Sequence, residues 1–175
     1  PVGSVDPDGI TLMSGTRVRA DVVVTGIGVR PAVDWLKGSG VAVDNGVLVD
    51  EHLRSTLPNV VAVGDCANWW SRRYGRRMRV EHWDTAISAP DTAAATLLGE
   101  DAVYDPVPYF WSEQFGRMVQ FAGDRIGAER TLLRGDPRTG AKWAVCWLTA
   151  EDRLAAILTV DRPRDVVQGR RIAER

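Results

Sequence analysis

The run Ser55-Thr56-Leu57-Pro58-Asn59-Val60-Val61-Ala62-Val63-Gly64-Asp65-Cys66-Ala67 constrains the fold more than any other part of the chain. A turn carrying Pro58 and Asn59 feeds four apolar residues that stop abruptly at Gly64-Asp65. Such a run reads as a buried strand of a parallel sheet. Open parallel sheets take their ligands just beyond the carboxyl ends of the strands, which is where Gly64 and Asp65 fall. Gly64 lets a ligand approach the backbone closely, and Asp65 offers an acceptor to a sugar-like hydroxyl. By itself a Gly-Asp pair after a strand is more often a plain turn. The weight lies in the whole string.

Composition narrows the classes that this motif can serve. The 175 residues suffice for one domain or two small ones, with 45% hydrophobic and 26% charged residues, as in an ordinary globular protein. A net charge of -1 gives no global pull toward nucleic acid or an anionic membrane. No apolar stretch is long enough to span a bilayer, and the first residues carry no signal-peptide pattern. Cys66 and Cys146 lack CxxC spacing, which fits a reducing cytoplasm and speaks against a metal site or redox disulfide. Two histidines, His52 and His82, are too few for a His-rich metal cluster.

Along the chain, Gly9–Met13, a turn at Ser14-Gly15-Thr16 and Arg17 onward predict a hairpin, followed by an apolar strand at Val22-Val23-Val24. A hairpin and one apolar strand cannot bury their faces alone. Pro31 suits the first position of a short helix over Ala32–Lys37, ended by Gly38 and Gly40, with Trp35 on its buried face. Gly46–Asp50 reads as a further strand. Asn68–Arg79 reads as an exposed excursion, and Asp84–Leu98 as a helix capped by Asp84 or Thr85, carrying Pro90, and stopped by Gly99. Beyond the linker Asp105-Pro106-Val107-Pro108 the pattern alternates. It predicts strand pairs of Trp111 with Met118–Ala122 and Arg130–Arg134 with Lys142–Leu148, then a strand at Leu154–Val160 and a polar helical tail.

Four strings carry a resemblance: Asp21 to Pro31 (DVVVTGIGVRP), the Ser55–Ala67 motif, Arg79-Val80-Glu81-His82-Trp83, and Tyr109-Phe110-Trp111-Ser112-Glu113-Gln114. In order and spacing they resemble the FAD-dependent NAD(P)H:ferredoxin reductases, of the rubredoxin and putidaredoxin reductase type, within the pyridine nucleotide-disulfide oxidoreductase superfamily. The resemblance covers essentially the whole chain. It implies an α/β fold class: the returning half of a Rossmann-like FAD/NAD(P)-binding domain, followed by a C-terminal α+β reductase domain with an antiparallel sheet. Residues 1–24 are then the end of the NAD(P) domain, 25–105 the C-terminal half of the FAD domain, and 106–175 the C-terminal domain. The two GxGxxG loops of such reductases are not in this chain, so the resemblance implies a portion of a longer protein, inactive in isolation.

The resemblance also implies roles. Asp65 is similar to the aspartate that hydrogen-bonds the FAD ribityl chain, with Gly64 allowing the approach. Trp83, with His82 beside it, falls where the pyrimidine edge of the flavin meets a helix start, whose partial positive charge suits a reduced flavin. Asp84 is a departure, because a second negative charge there opposes reduction unless it turns away to cap the helix. Trp111 resembles an aromatic near the flavin edge, and Gly28 a position near the nicotinamide. No catalytic acid–base pair is expected, since the cofactor performs hydride transfer and the protein orients it. His82 by itself therefore reads as structural.

The remaining features weigh a plain reading against a functional one. Trp69-Trp70 with Arg72, Arg73, Arg76, Arg77 and Arg79 is a solvated hairpin on the plain reading, and a docking patch for an acidic ferredoxin or rubredoxin on the functional one. Aromatics among arginines also suit single-stranded nucleic acid, but the balanced net charge speaks against it. Cys66, without a second cysteine or a base, reads as a small buried residue. Trp143, Cys146 and Trp147 read as core of the C-terminal sheet. Two rival functions stay open: a relative with another acceptor (monodehydroascorbate reductase, nitrite reductase or apoptosis-inducing-factor type), and an inert interaction or homodimerisation module.

Overall fold

The computed structural model describes residues 1–174. These fall into two compact units that divide after Arg30. In the first, β1 (Val2–Asp6), β2 (Gly9–Leu12) and β3 (Arg17–Arg19) form an antiparallel meander in that order. Arg17 reaches across it to Asp6 at 2.8 Å. The strand expected at Val22–Val24 does not form, and Val24 is 90% exposed. Among the described residues no strand runs beside it, and β propensity without a ladder partner leaves the backbone unpaired.

In the second unit the helix expected over Ala32–Lys37 shrinks to a 3-10 turn at Asp34–Leu36, and Trp35 is 80% exposed rather than buried. With Gly38 stopping it at once, no second turn forms to offset the cost of nucleation. β4 (Val47–Val49) then pairs in parallel with β5 (Ala67–Ser71), which pairs antiparallel with β6 (Arg76–Met78). The parallel pairing therefore belongs to β4 and β5, not to Val60–Val63. That run makes only an isolated bridge, Val61 to Arg54. It ends in the 3-10 turn Gly64–Cys66, which breaks the chain's direction before β5 begins.

Nor is Asn68–Arg79 simply exposed. Asn68, Trp69 and Ser71 of β5 are buried, and Trp69 meets Tyr104 edge-on at 5.3 Å in a core with Val47, Val49 and Leu53. Helix α1 (Trp83–Leu97) closes this core with Ala89 and Ala93. It starts at His82 with no side-chain cap, so neither Asp84 nor Thr85 caps it. Pro90 lies inside it, removing the N–H that would reach the Ala86 carbonyl. The chain leaves the helix at Gly99.

The C-terminal part follows its alternation. β7 (Tyr109–Gln114), β8 (Arg117–Gly123), β9 (Arg130–Arg134), β10 (Trp143–Leu148) and β11 (Leu154–Val160) form an antiparallel sheet in the order β7-β8-β11-β10-β9. β9 is an edge strand, with Leu132 and Leu133 half-exposed between Arg130 and Arg134. Helix α2 (Pro163–Ala173) packs on β11 and β8, where Val166 joins Val107, Ala122 and Ile157 in a second core. Trp143, Cys146 and Trp147 are only partly buried. Small Ala144 and Ala156 take the deepest positions instead, on opposite faces of the sheet. Among the described residues no helix is long and apolar enough to cross a membrane.

Candidate cofactor site

Gly64 is buried with φ +72°, a conformation that side chains disfavour, and a Cβ there would sit 3.9 Å from Ala86 in α1. The Gly64–Cys66 turn is thereby laid against the first turns of the helix. Asp65 follows with an exposed side chain that makes no hydrogen bond or ion pair within the described residues, while its carbonyl accepts from Arg79 Nη1 at 3.2 Å. Arg79 also donates to Asn45 Oδ1 at 3.2 Å and pairs with Glu81, tying the turn to the segment that enters α1. Cys66 is committed inward, its thiol donating to the Val63 carbonyl at 3.4 Å.

The start of α1 grips the edge strand β7 on both faces. Successive strand residues point to opposite sides. On one side Trp83 meets Trp111 at 5.5 Å between ring centroids, and Trp111 stacks on Tyr109 at 5.9 Å. On the other, His82 lies 4.7 Å from Phe110, which stacks on Phe121 at 5.3 Å. His82 also lines a cleft of ≈ 210 Å³ with Arg76, Arg79, Phe110, Phe121 and Asp124. Trp83 is 65% and Trp111 41% exposed, so an aromatic pair stands open beside the helix start. Asp84 does not turn back to cap but pairs with Arg170 of α2, at 2.8 and 3.3 Å. Arg170 in turn lies 5.3 Å over the Tyr109 ring.

Gly64, Asp65, His82, Trp83 and Trp111 thus share the second unit and cluster about the N-terminus of α1. Gly28 lies in the first unit, with φ +84° and open space around it. Arg170, Tyr109 and Phe110 escaped the sequence reading as site residues. The alternation of β7 could have separated Tyr109 and Trp111 from Phe110, but nothing local marks Arg170.

The basic stretch is knitted into the fold. Arg72 pairs with Glu51 at 2.8 Å, which holds the Glu51 carboxyl below its usual range, chiefly through that hydrogen bond. Arg73 donates to the Ala173 carbonyl at 2.8 Å, Arg76 pairs with Asp124, and Arg77 donates to the Val49 and Asn68 carbonyls. Two of these contacts, those of Arg73 and Arg76, join the β5–β6 hairpin to the C-terminal sheet and helix.

A glycine cradle, a free carboxylate, an uncapped helix start and an open aromatic pair make a donor-and-acceptor set suited to the hydroxyls and ring edge of a nucleotide cofactor. The fold that carries them is a partial α/β unit followed by an antiparallel C-terminal sheet with a helix packed on it.

Comparison with known proteins gives the family. Residues 2–89 match the family model described as pyridine nucleotide-disulphide oxidoreductase, and residues 109–175 the model described as reductase C-terminal. The chain belongs to the pyridine nucleotide-disulphide oxidoreductase family. It is 38% identical to rhodocoxin reductase of Rhodococcus erythropolis over 164 residues, covering 94% of this chain and 38% of that protein. Putidaredoxin reductase of Pseudomonas putida is 35% identical over 158 residues, covering 90% of this chain and 37% of that protein. Among solved structures, the covalent putidaredoxin reductase–putidaredoxin complex superposes with TM-score 0.85 at 33% identity, over 95% of this chain and 39% of that one. The chain therefore spans about two fifths of the length of the curated relatives it matches.

Proposed function

We propose that the protein to which this chain belongs carries electrons from NAD(P)H through FAD to a small iron–sulfur protein of ferredoxin or rubredoxin type, in the cytoplasm. The observation that carries the reading is the seating of Gly64-Asp65 against the uncapped first turn of α1, beside the open Trp83–Trp111 pair. FAD, when bound, supplies the step from two-electron to one-electron transfer. In this reading Asp65 accepts hydrogen bonds from the ribityl hydroxyls, and Gly64 leaves room for the chain to pass. The N–H groups at the start of α1, Trp83 among them, face the pyrimidine edge. His82, braced on Phe110, sets the direction of that helix start, Trp111 covers the flavin edge and Gly28 lies near the nicotinamide. Residues 1–24 are then the end of the NAD(P) domain, 25–105 the returning half of the FAD domain and 106–175 the C-terminal domain.

The acceptor is supported by the relatives, one of which was crystallised in covalent complex with putidaredoxin. Docking of an acidic partner falls to Arg72, Arg73, Arg76 and Arg77. Of these, Arg72, Arg73 and Arg77 remain exposed while held in place by internal partners. The reading is tested by loading the whole protein with FAD, bleaching the flavin bands with NADH or NADPH under argon, and following reduction of a [2Fe–2S] ferredoxin. Bleaching with prompt ferredoxin reduction is expected. Failure to retain flavin overturns the cofactor assignment, and bleaching without ferredoxin reduction overturns the acceptor.

A further inference from the structure

A carboxylate in the first turn of a helix normally serves the exposed N–H groups there. Asp84 does not. Both its oxygens face the guanidinium of Arg170, with Oδ2 2.8 Å from Nη2 and Oδ1 3.3 Å from Nη1, the two-pronged geometry that arginine offers a carboxylate. The partners lie 86 residues apart, on α1 and α2, and their side chains are 19% and 27% exposed, so water screens them only in part. Arg170 is held from two further sides, by the Tyr109 ring at 5.3 Å and by Glu174 Oε1 at 3.7 Å from Nε. Tyr109 stacks on Trp111, and Trp111 meets Trp83, the residue just before Asp84. Arg170 is thus joined to the aromatic pair by both its charge and its ring contact.

Resting on the FAD reading above, we propose that Arg170 is a positioning residue of the cofactor site, whose charge cancels that of Asp84 at the start of α1. With the pair intact, the helix presents only the partial positive charge of its N–H groups to the cofactor edge. With Arg170 neutral, an uncompensated carboxylate stands beside a ring that gains negative charge on reduction, and reduction becomes harder. Helix α2 thereby sets the electron affinity of a site to which it contributes no cofactor contact of its own.

The test is the flavin midpoint potential of the FAD-loaded whole protein, measured for Arg170→Gln, Asp84→Asn and the double variant, with the melting temperature of each recorded. Arg170→Gln should make reduction about tenfold less favourable, ~30 mV for a two-electron couple. Asp84→Asn, which leaves Arg170 as an unpaired cation, should move the potential the opposite way. The double variant should return close to the parent value. Potentials that stay at the parent value while melting temperatures fall would show a purely structural tie and overturn the proposal. Should Arg170→Gln fail to fold, Asp84→Asn carries the test alone, and an unmoved potential there is equally fatal. A parent protein that retains no FAD sinks the cofactor reading itself, an outcome separate from an unmoved potential.

Discussion

Gly64 and Ala86 meet where the 3-10 turn rests on α1, with 3.9 Å between a Cβ built on the glycine and the helix backbone. That spacing admits a methyl group, so the constraint on Gly64 is its φ of +72° rather than lack of room. Gly64→Ala should therefore cost about 1–2 kcal/mol, the usual penalty of a left-handed residue with a side chain. A urea-denaturation midpoint measures it. A variant as stable as the parent would mean that the turn relaxes to another conformation, and its flavin content should then fall.

Asp65 separates binding from folding. Its side chain is exposed and makes no hydrogen bond within the described residues, so Asp65→Ala should leave stability within about 0.5 kcal/mol. The ratio of flavin to protein after gel filtration should drop several-fold. Full flavin retention would remove Asp65 from the cofactor site.

For the basic hairpin, neutralisation tests docking better than reversal, because a glutamate at position 72 would face Glu51, and at 76 would face Asp124. Arg72→Gln gives up one exposed ion pair, which contributes little to stability. It should slow ferredoxin reduction at low salt, with the difference fading as salt rises. Turnover with ferricyanide should not change. An unaltered ferredoxin rate would leave Arg72 with the structural task of holding Glu51.

Asp161 makes the fold sensitive to acid. The Met118 N–H and then the Arg117 guanidinium hold its carboxyl below the ordinary aspartate value of ~3.9. A depressed folded value contributes stability above the unfolded value, and this is lost as pH falls through the folded one. Denaturation midpoints of Asp161→Asn should fall less steeply on the acid side than those of the parent. Curves of equal slope would rule Asp161 out as the cause.

The C-terminal sheet was legible in the sequence because its strands are joined by turns and their pairing is mostly local, as with β7 and β8 around Phe115-Gly116. Val60–Val63 was not, because an apolar run of that kind looks alike whether or not it pairs. Here the parallel partner of β4 lies after the Gly64 turn instead of before it. The same limit applies to Val22–Val24 and Trp35, where local propensity favours a strand and a helix that do not form, because no neighbour among the described residues completes either. At the site, Gly64, Asp65 and Trp83 were marked by their strings. Arg170 was not, since its meaning depends on a carboxylate 86 residues earlier and no short-range pattern encodes such a pair.

The arginines at the two ends of β9 bear on how the molecule behaves in a crowded solution. An edge strand with open backbone groups and two half-exposed leucines invites a second molecule to add its own strand. An antiparallel partner of identical sequence, centred on Leu132, would set Arg130 against Arg134 at both ends. Each is already tied to a carboxylate, Asp152 and Asp165, and a docking strand would have to displace or crowd these charged side chains. The strand thus carries its own guard against fibril-like stacking, and replacing both arginines with small neutral residues would turn this edge into the part of the sheet most prone to self-association.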